Sequence, residues 1–214
     1  WLKIILIIKR NCEKLFQIAC NAMHIHQSVR EIKTGKNIFS GEKGEPTASF
    51  YNFLGGQQHF LPKAISLMAP YVNSYRRYMA MGSAPINLEW GRDNRTTGLR
   101  VPLSNAESIR VENRVVGMDS NPYLAIAASL ACGYLGMKHE ITPRDEVKGE
   151  AYSLPRALPR GLLEGIDLFN DAPELEKALG KNFCKVYRAV KIHEAEAFLE
   201  VISPWEREHL LLNV

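Results

Sequence analysis

The chain has 214 residues, 46% of them apolar and 23% charged, with a formal net charge of only +4 from 27 basic and 23 acidic side chains. That composition suits a globular domain, or a large piece of one, with a real core, and it is too evenly charged to suggest a nucleic-acid partner. No stretch approaches the roughly 20 apolar residues of a membrane-spanning helix, so a membrane is not an expected partner either.

Residues 1–22 are the hardest to place. Trp1–Ile8 is apolar but broken by Lys3, and no clear small-residue cleavage site follows. Because the chain starts with Trp rather than Met, a truncated or processed start is expected rather than an export signal. Leu15, Ile18 and Ala19 have rough helical spacing. Met23–Val29 alternates as a strand does, and the turn residues Thr34-Gly35 and Ser40–Gly44 extend it into a hairpin and loop. Residues 47–69 read as helical, with Gly55-Gly56 suited to a close helix contact and Pro62 expected to kink or divide the run.

Pro70–Gly82 is expected to be a loop, followed by short strands at Ile86–Trp90, Gly98–Pro102 and Ile109–Val115. Asn121-Pro122 supplies a cap and a first-position proline for a buried helix from Tyr123 to about Met137. Residues 138–171 read as a polar, Pro- and Gly-rich connection. Helices are expected at about 173–179 and 181–202, the second stopped by Ser203-Pro204. Cys12, Cys20, Cys132 and Cys184 form no CxxC pair, so free thiols in a reducing cytoplasm are the simplest reading.

Two patterns carry chemistry. In IRVENRV, strand alternation puts Arg110, Glu112 and Arg114 on one face, and Arg76, Arg77, Arg92, Arg95 and Arg100 lie upstream. Alone, the strand reads as a solvated face with local ion pairs. If the arginines converge, their guanidinium groups suit a pocket for an anionic substrate and a polyphosphate. His24 and His26 share a strand face and are incomplete as a metal site by themselves. Joined to Glu112, His24 supplies a nitrogen-oxygen pair for Mg2+ or Mn2+.

The motifs MHIHQS, PYVNSYRR, APINLEWGRDNRTTGLRVP, RVENRVVGMDSNPYLAIAASLACGYLG and WEREHLLLNV, in that order, resemble the catalytic domain of glutamine synthetases and the related gamma-glutamyl-amine ligases. The resemblance runs from about Met23 to the C-terminus, so residues 23–214 are read as the C-terminal part of that domain and 1–22 stay unassigned. It implies an α+β fold whose antiparallel sheet forms part of an active-site barrel wall, packed with helices. It also implies a cytoplasmic, ring-like homo-oligomer using ATP, Mg2+ or Mn2+, glutamate, and ammonia or a primary amine. By motif, His24 and Glu112 resemble metal ligands, and His26, Ser28, Arg100 and Arg110 resemble nucleotide-side residues. Arg77 and Arg114 resemble glutamate-binding residues, and Arg95 resembles the arginine that stabilises the transferred phosphoryl group; Arg77 and Arg95 are the implied catalytic residues.

Three departures stand out. The family's remaining metal carboxylates precede MHIHQS and have no convincing counterpart in residues 1–22, and the small N-terminal domain has none either. Ser83 stands where the family carries a glutamate in its ammonia-handling flap, which favours an amine larger than ammonia. Glu107 lies in the loop where many members carry a lysine. The expected function is ATP-dependent ligation of ammonia or an amine to the glutamate side chain through gamma-glutamyl phosphate. The alternatives are a gamma-glutamyl-polyamine ligase and an inactive assembling fragment.

Overall fold

A computed structural model describes residues 2–12, 21–78 and 84–211. The strand expected at MHIHQS is present and longer, β2 spanning Asn21–Glu31. Met23, Ile25, Gln27 and Val29 are buried on one face of it, and by alternation His24, His26 and Ser28 occupy the other. β1 (Leu2–Cys12) pairs with it antiparallel from end to end, Leu2 opposite Glu31 and Cys12 opposite Asn21. The unassigned opening thus forms a strand, while the helical spacing at Leu15, Ile18 and Ala19 lies outside the described residues.

The other three strands are short: β3 (Trp90–Arg92), β4 (Leu99–Val101) and β5 (Val111–Asn113). The sheet order is β1-β2-β5-β4-β3, so the C-terminal strand of the set sits at its centre. The expected antiparallel pairing holds for β1 with β2, β2 with β5 and β5 with β4, and needs correction at one edge, where β3 and β4 pair in parallel. Parallel neighbours ordinarily need a long crossover, but three-residue strands can be joined by the loop 93–98. That loop turns at Asp93, with φ of 48°. Asn94 then stiffens it, accepting from the Thr96 amide and hydroxyl and donating to Val147 and Gly149 carbonyls.

Behind the sheet lie α1 (Ala48–Ala64) and α2 (Pro122–Lys138). Thr47 caps α1, and the Asn121 side chain caps α2 by accepting from Tyr123 and Leu124 amides. Pro62 does not divide α1: it falls in the last turn, and the chain then tightens into a 3-10 turn at Ile65–Leu67. The helices meet at glycines. A Cβ on Gly56 would lie 2.3 Å from the Cys132 carbonyl oxygen and 2.4 Å from Gly136 Cα.

A buried polar network joins both helices to the core face of the sheet. Ser129 Oγ accepts from Gln27 Nε2 at 2.9 Å and from Asn113 Nδ2 at 3.0 Å, and Gln57 Nε2 donates to the Ser129 carbonyl at 2.6 Å.

Three further corrections concern the connections. Val72–Arg77, expected as loop, is a 3-10 helix. The 138–171 connection contains α3 (Leu162–Asn170), obscured by Pro159, Gly161 and Gly165 but driven by the buried face of Leu162, Ile166 and Phe169. After α4 (Pro173–Leu179) and α5 (Lys181–Leu199), Ser203-Pro204 starts a new helix, α6 (Pro204–His209), through a capping box between Ser203 and Glu206. Cys132 and Cys184 are buried free thiols. No helix among the described residues is long and apolar enough to cross a membrane.

The glycine contact sets a stability test. Gly56→Ala and Gly136→Ala each force backbone apart and are expected to lower stability by about 2 kcal/mol, read from the urea midpoint. Gly149→Ala, with open space around it, serves as the neutral control.

Candidate active site

The register of the sheet gathers the chemistry. His26 is paired with Glu112 across β2 and β5, and Glu112 with Arg100 across β5 and β4, so the three lie in one row on one face. Glu112 is the hub. Its side chain is only 2% exposed, and Oε1 lies 3.0 Å from His24 Nδ1, 3.1 Å from Arg114 Nη1 and 3.9 Å from His26 Nε2. Oε2 accepts from Arg100 Nη1 at 2.6 Å. Burial pushes the Glu112 pKa up, but hydrogen bonds from His24 and Arg100 and the charges of Arg114 and His26 outweigh it. The carboxyl is held well below the usual carboxylate range.

The neighbours extend this cluster. Arg100 also binds Asp93 through Nε and Nη2. Arg110 Nε approaches His26 Nδ1 at 3.3 Å, and Arg110 Nη1 donates to the Ser108 carbonyl. Arg77 is buried, 5% exposed, at the end of the 3-10 helix; its Nη1 donates to the Val115 carbonyl at 2.7 Å and its guanidinium lies over the Tyr78 ring. Among the described residues its Nε has no hydrogen-bond partner, and the same is true of Arg114 Nε. Arg77 forms no salt bridge among the described residues. A buried cation without a carboxylate is costly unless an anion joins it.

Of the residues singled out in the sequence, His24, His26, Arg100, Arg110, Glu112 and Arg114 converge. Arg77 reaches the end of β5 through Val115. Ser28 follows His26 on the same face of β2 and is half-buried. Arg95 is exposed in the 93–98 loop, and Arg76 and Arg92 are also exposed. Ser83 lies outside the described residues. Sequence reasoning missed two features. Asp93 is the second anchor of Arg100, a role set by a left-handed loop turn that no motif announces. Glu112 serves several cations at once, which depends on strand register.

No cluster of three or more His, Cys, Asp or Glu side chains suited to a metal occurs among the described residues. His24 and Glu112 offer one imidazole and one carboxylate, a partial donor set for a hard divalent cation.

The model of the family described as "Glutamine synthetase, catalytic domain" matches residues 12–210. The chain belongs to the glutamine synthetase family. Among curated relatives of this glutamine synthetase-family chain, the Gamma-glutamylputrescine synthetase PuuA of Escherichia coli K12 is 37% identical over 198 residues, covering 91% of this chain and 41% of that protein. Type-1 glutamine synthetase 2 of Dictyostelium discoideum is 34% identical, with 88% of this chain and 37% of the relative aligned. Glutamate--isopropylamine ligase of a Pseudomonas species is 32% identical, with 86% and 41% aligned. The solved structure titled "Apo GmaS without ligand" superposes with a TM-score of 0.79 at 28% identity, covering 89% of this chain and 45% of that one. The chain therefore spans less than half the length of these relatives.

The electrostatics of Glu112 predict a pH dependence. Its native pKa is lowered, so the unfolded state binds its proton more readily and stability falls as pH drops below the ordinary value of about 4.3. Chemical denaturation between roughly pH 6 and pH 3 is expected to show this loss. Glu112→Gln should flatten that slope, while costing about 3 kcal/mol near neutrality because Arg100 and Arg114 lose their buried partner.

Proposed function

We propose that this chain is the C-terminal part of the catalytic domain, residues 23–214, of an ATP-dependent ligase that joins ammonia or a primary amine to the glutamate side-chain carboxylate. The single observation that carries the reading is the Glu112 hub, with imidazoles and guanidinium groups gathered around one buried carboxylate on one sheet face. The names of the relatives, a glutamine synthetase and two amine ligases, support the reaction class. In this reading the sheet is one portion of an active-site barrel wall, and the protein works as a cytoplasmic, ring-like homo-oligomer.

The difficulty of the reaction is electrostatic. A carboxylate must attack the terminal phosphate of ATP, releasing ADP and giving gamma-glutamyl phosphate; the amine then attacks the acyl carbon of that intermediate and displaces phosphate. Arg100 and Arg95 neutralise the phosphates, with Arg95 stabilising charge on the transferred group; its exposure on the 93–98 loop leaves it able to reach a ligand. His26, Ser28 and Arg110 flank the nucleotide. Arg77, buried and without a carboxylate partner among the described residues, takes the glutamate alpha-carboxylate, and Arg114 adds a second guanidinium on that side. His24 and Glu112 would hold Mg2+ or Mn2+, which supplies charge neutralisation when bound, with further donors from water and phosphate. Ser83 in place of a carboxylate favours a primary amine over ammonia.

A second reading, nucleotide binding without turnover, is favoured by the partial donor set, His24 and Glu112 standing without a third metal-ligating side chain among the described residues. Product analysis decides. Incubation with ATP, Mg2+, glutamate and either ammonia or putrescine is expected to yield ADP and a gamma-glutamyl amide by mass spectrometry. Arg95→Ala should lower kcat by about 100-fold or more with a smaller change in KM. ATP binding without any gamma-glutamyl product from either acceptor would establish the second reading instead.

A further inference from the structure

Arg77 sits at the end of a short 3-10 helix, and such helices are held by poor hydrogen-bond geometry and need outside support. That support is visible. Ser74, 4% exposed, accepts from the Tyr71 amide at 3.0 Å, which closes the start of the turn. The same hydroxyl donates to Asp119 Oδ2 at 2.5 Å. A short hydrogen bond to a carboxylate is stronger than one to a neutral acceptor.

Asp119 is itself tightly placed. It belongs to the turn 117–120, where Gly117 donates to the Met68 carbonyl at 2.9 Å and forms a bridge to Ala22 at the start of β2. Ser120 closes that turn through both its amide and its hydroxyl onto the Gly117 carbonyl. A Cβ on Gly117 would lie 2.2 Å from Asp119 Oδ1, so the carboxylate occupies space that only a glycine leaves open. From Asp119 the path runs through Ser74 to Arg77, whose other end is fixed on the Val115 carbonyl.

We propose that Asp119 is a positioning residue for Arg77: acting through Ser74, it sets the 3-10 turn so that the buried guanidinium is presented to the alpha-carboxylate of glutamate. This rests on the role given to Arg77 above. Asp119 makes no contact with substrate in this scheme, so its loss should weaken glutamate recognition selectively.

The test has two readouts on Asp119→Asn, Ser74→Ala, their double variant, and Gly117→Ala, which displaces the carboxylate without removing it. Hydrogen exchange in the peptide 71–78 should quicken in every variant, with residues 24–31 unchanged. Calorimetric affinity for L-glutamate should fall about tenfold, the scale of one charge-assisted hydrogen bond, while ATP affinity is retained. The double variant should be no worse than either single one. Unaltered exchange in 71–78 would overturn the clamp. Faster exchange with glutamate and ATP affinities falling together, or neither falling, would overturn the positioning of Arg77. Absence of glutamate binding by the unaltered protein would sink the role assigned to Arg77 itself, and exchange would still decide the clamp.

Discussion

A carboxylate buried among cations is the constraint around which this structure is arranged. Glu112 could not remain ionised at 2% exposure without its ring of partners, and Arg100 and Arg114 could not sit partly buried without a shared anion. Each group makes the others tolerable. The cluster thereby stores positive charge beside a sheet face in a low-dielectric setting, where its interaction with phosphate or carboxylate is stronger than it would be in water. Charge organised in this way is what a reaction between two anions requires.

The opposite face of the same strands keeps that arrangement in register. Gln27 and Asn113 alternate with His26 and Glu112, and they converge on Ser129 of α2. A one-residue slip of β2 against β5 would carry Gln27 to the site face and His26 into the core, leaving buried amides and an imidazole unmatched. The polar network is thus a register lock: because it is specific on the core side, the chemistry on the other side can be specific too. The glycine contact between α1 and α2 brings Ser129 and Gln57 close enough for the network to close.

Family membership and partial coverage of the relatives bear on the site in different ways. Membership supports the reaction class proposed above. The chain spans less than half the length of its relatives, and among the described residues His24 and Glu112 offer two donors, a partial set for a hard divalent cation. Within the chain, the site is assembled from β2, β4 and β5 plus the 3-10 helix Val72–Arg77, so segments distant in sequence meet across a very short central strand.

Local chemistry made much of this legible beforehand. Alternation put His24 with His26, and Arg110 with Glu112 and Arg114, because a strand has a fixed period. Asn121-Pro122 announced α2 because a side-chain cap and a proline suit a helix start. Other features depended on partners that no local pattern specifies. The parallel pairing of β3 with β4 follows from a loop stiffened by Asn94, and α3 exists because Leu162, Ile166 and Phe169 have a core to cover despite surrounding glycines and prolines. Whether the arginines would converge or scatter was likewise undecided by sequence, since guanidinium groups on separate strands meet only if register and strand order bring them together. Sequence determined which residues could do chemistry; tertiary structure decided that Glu112, not any arginine, stands at the centre.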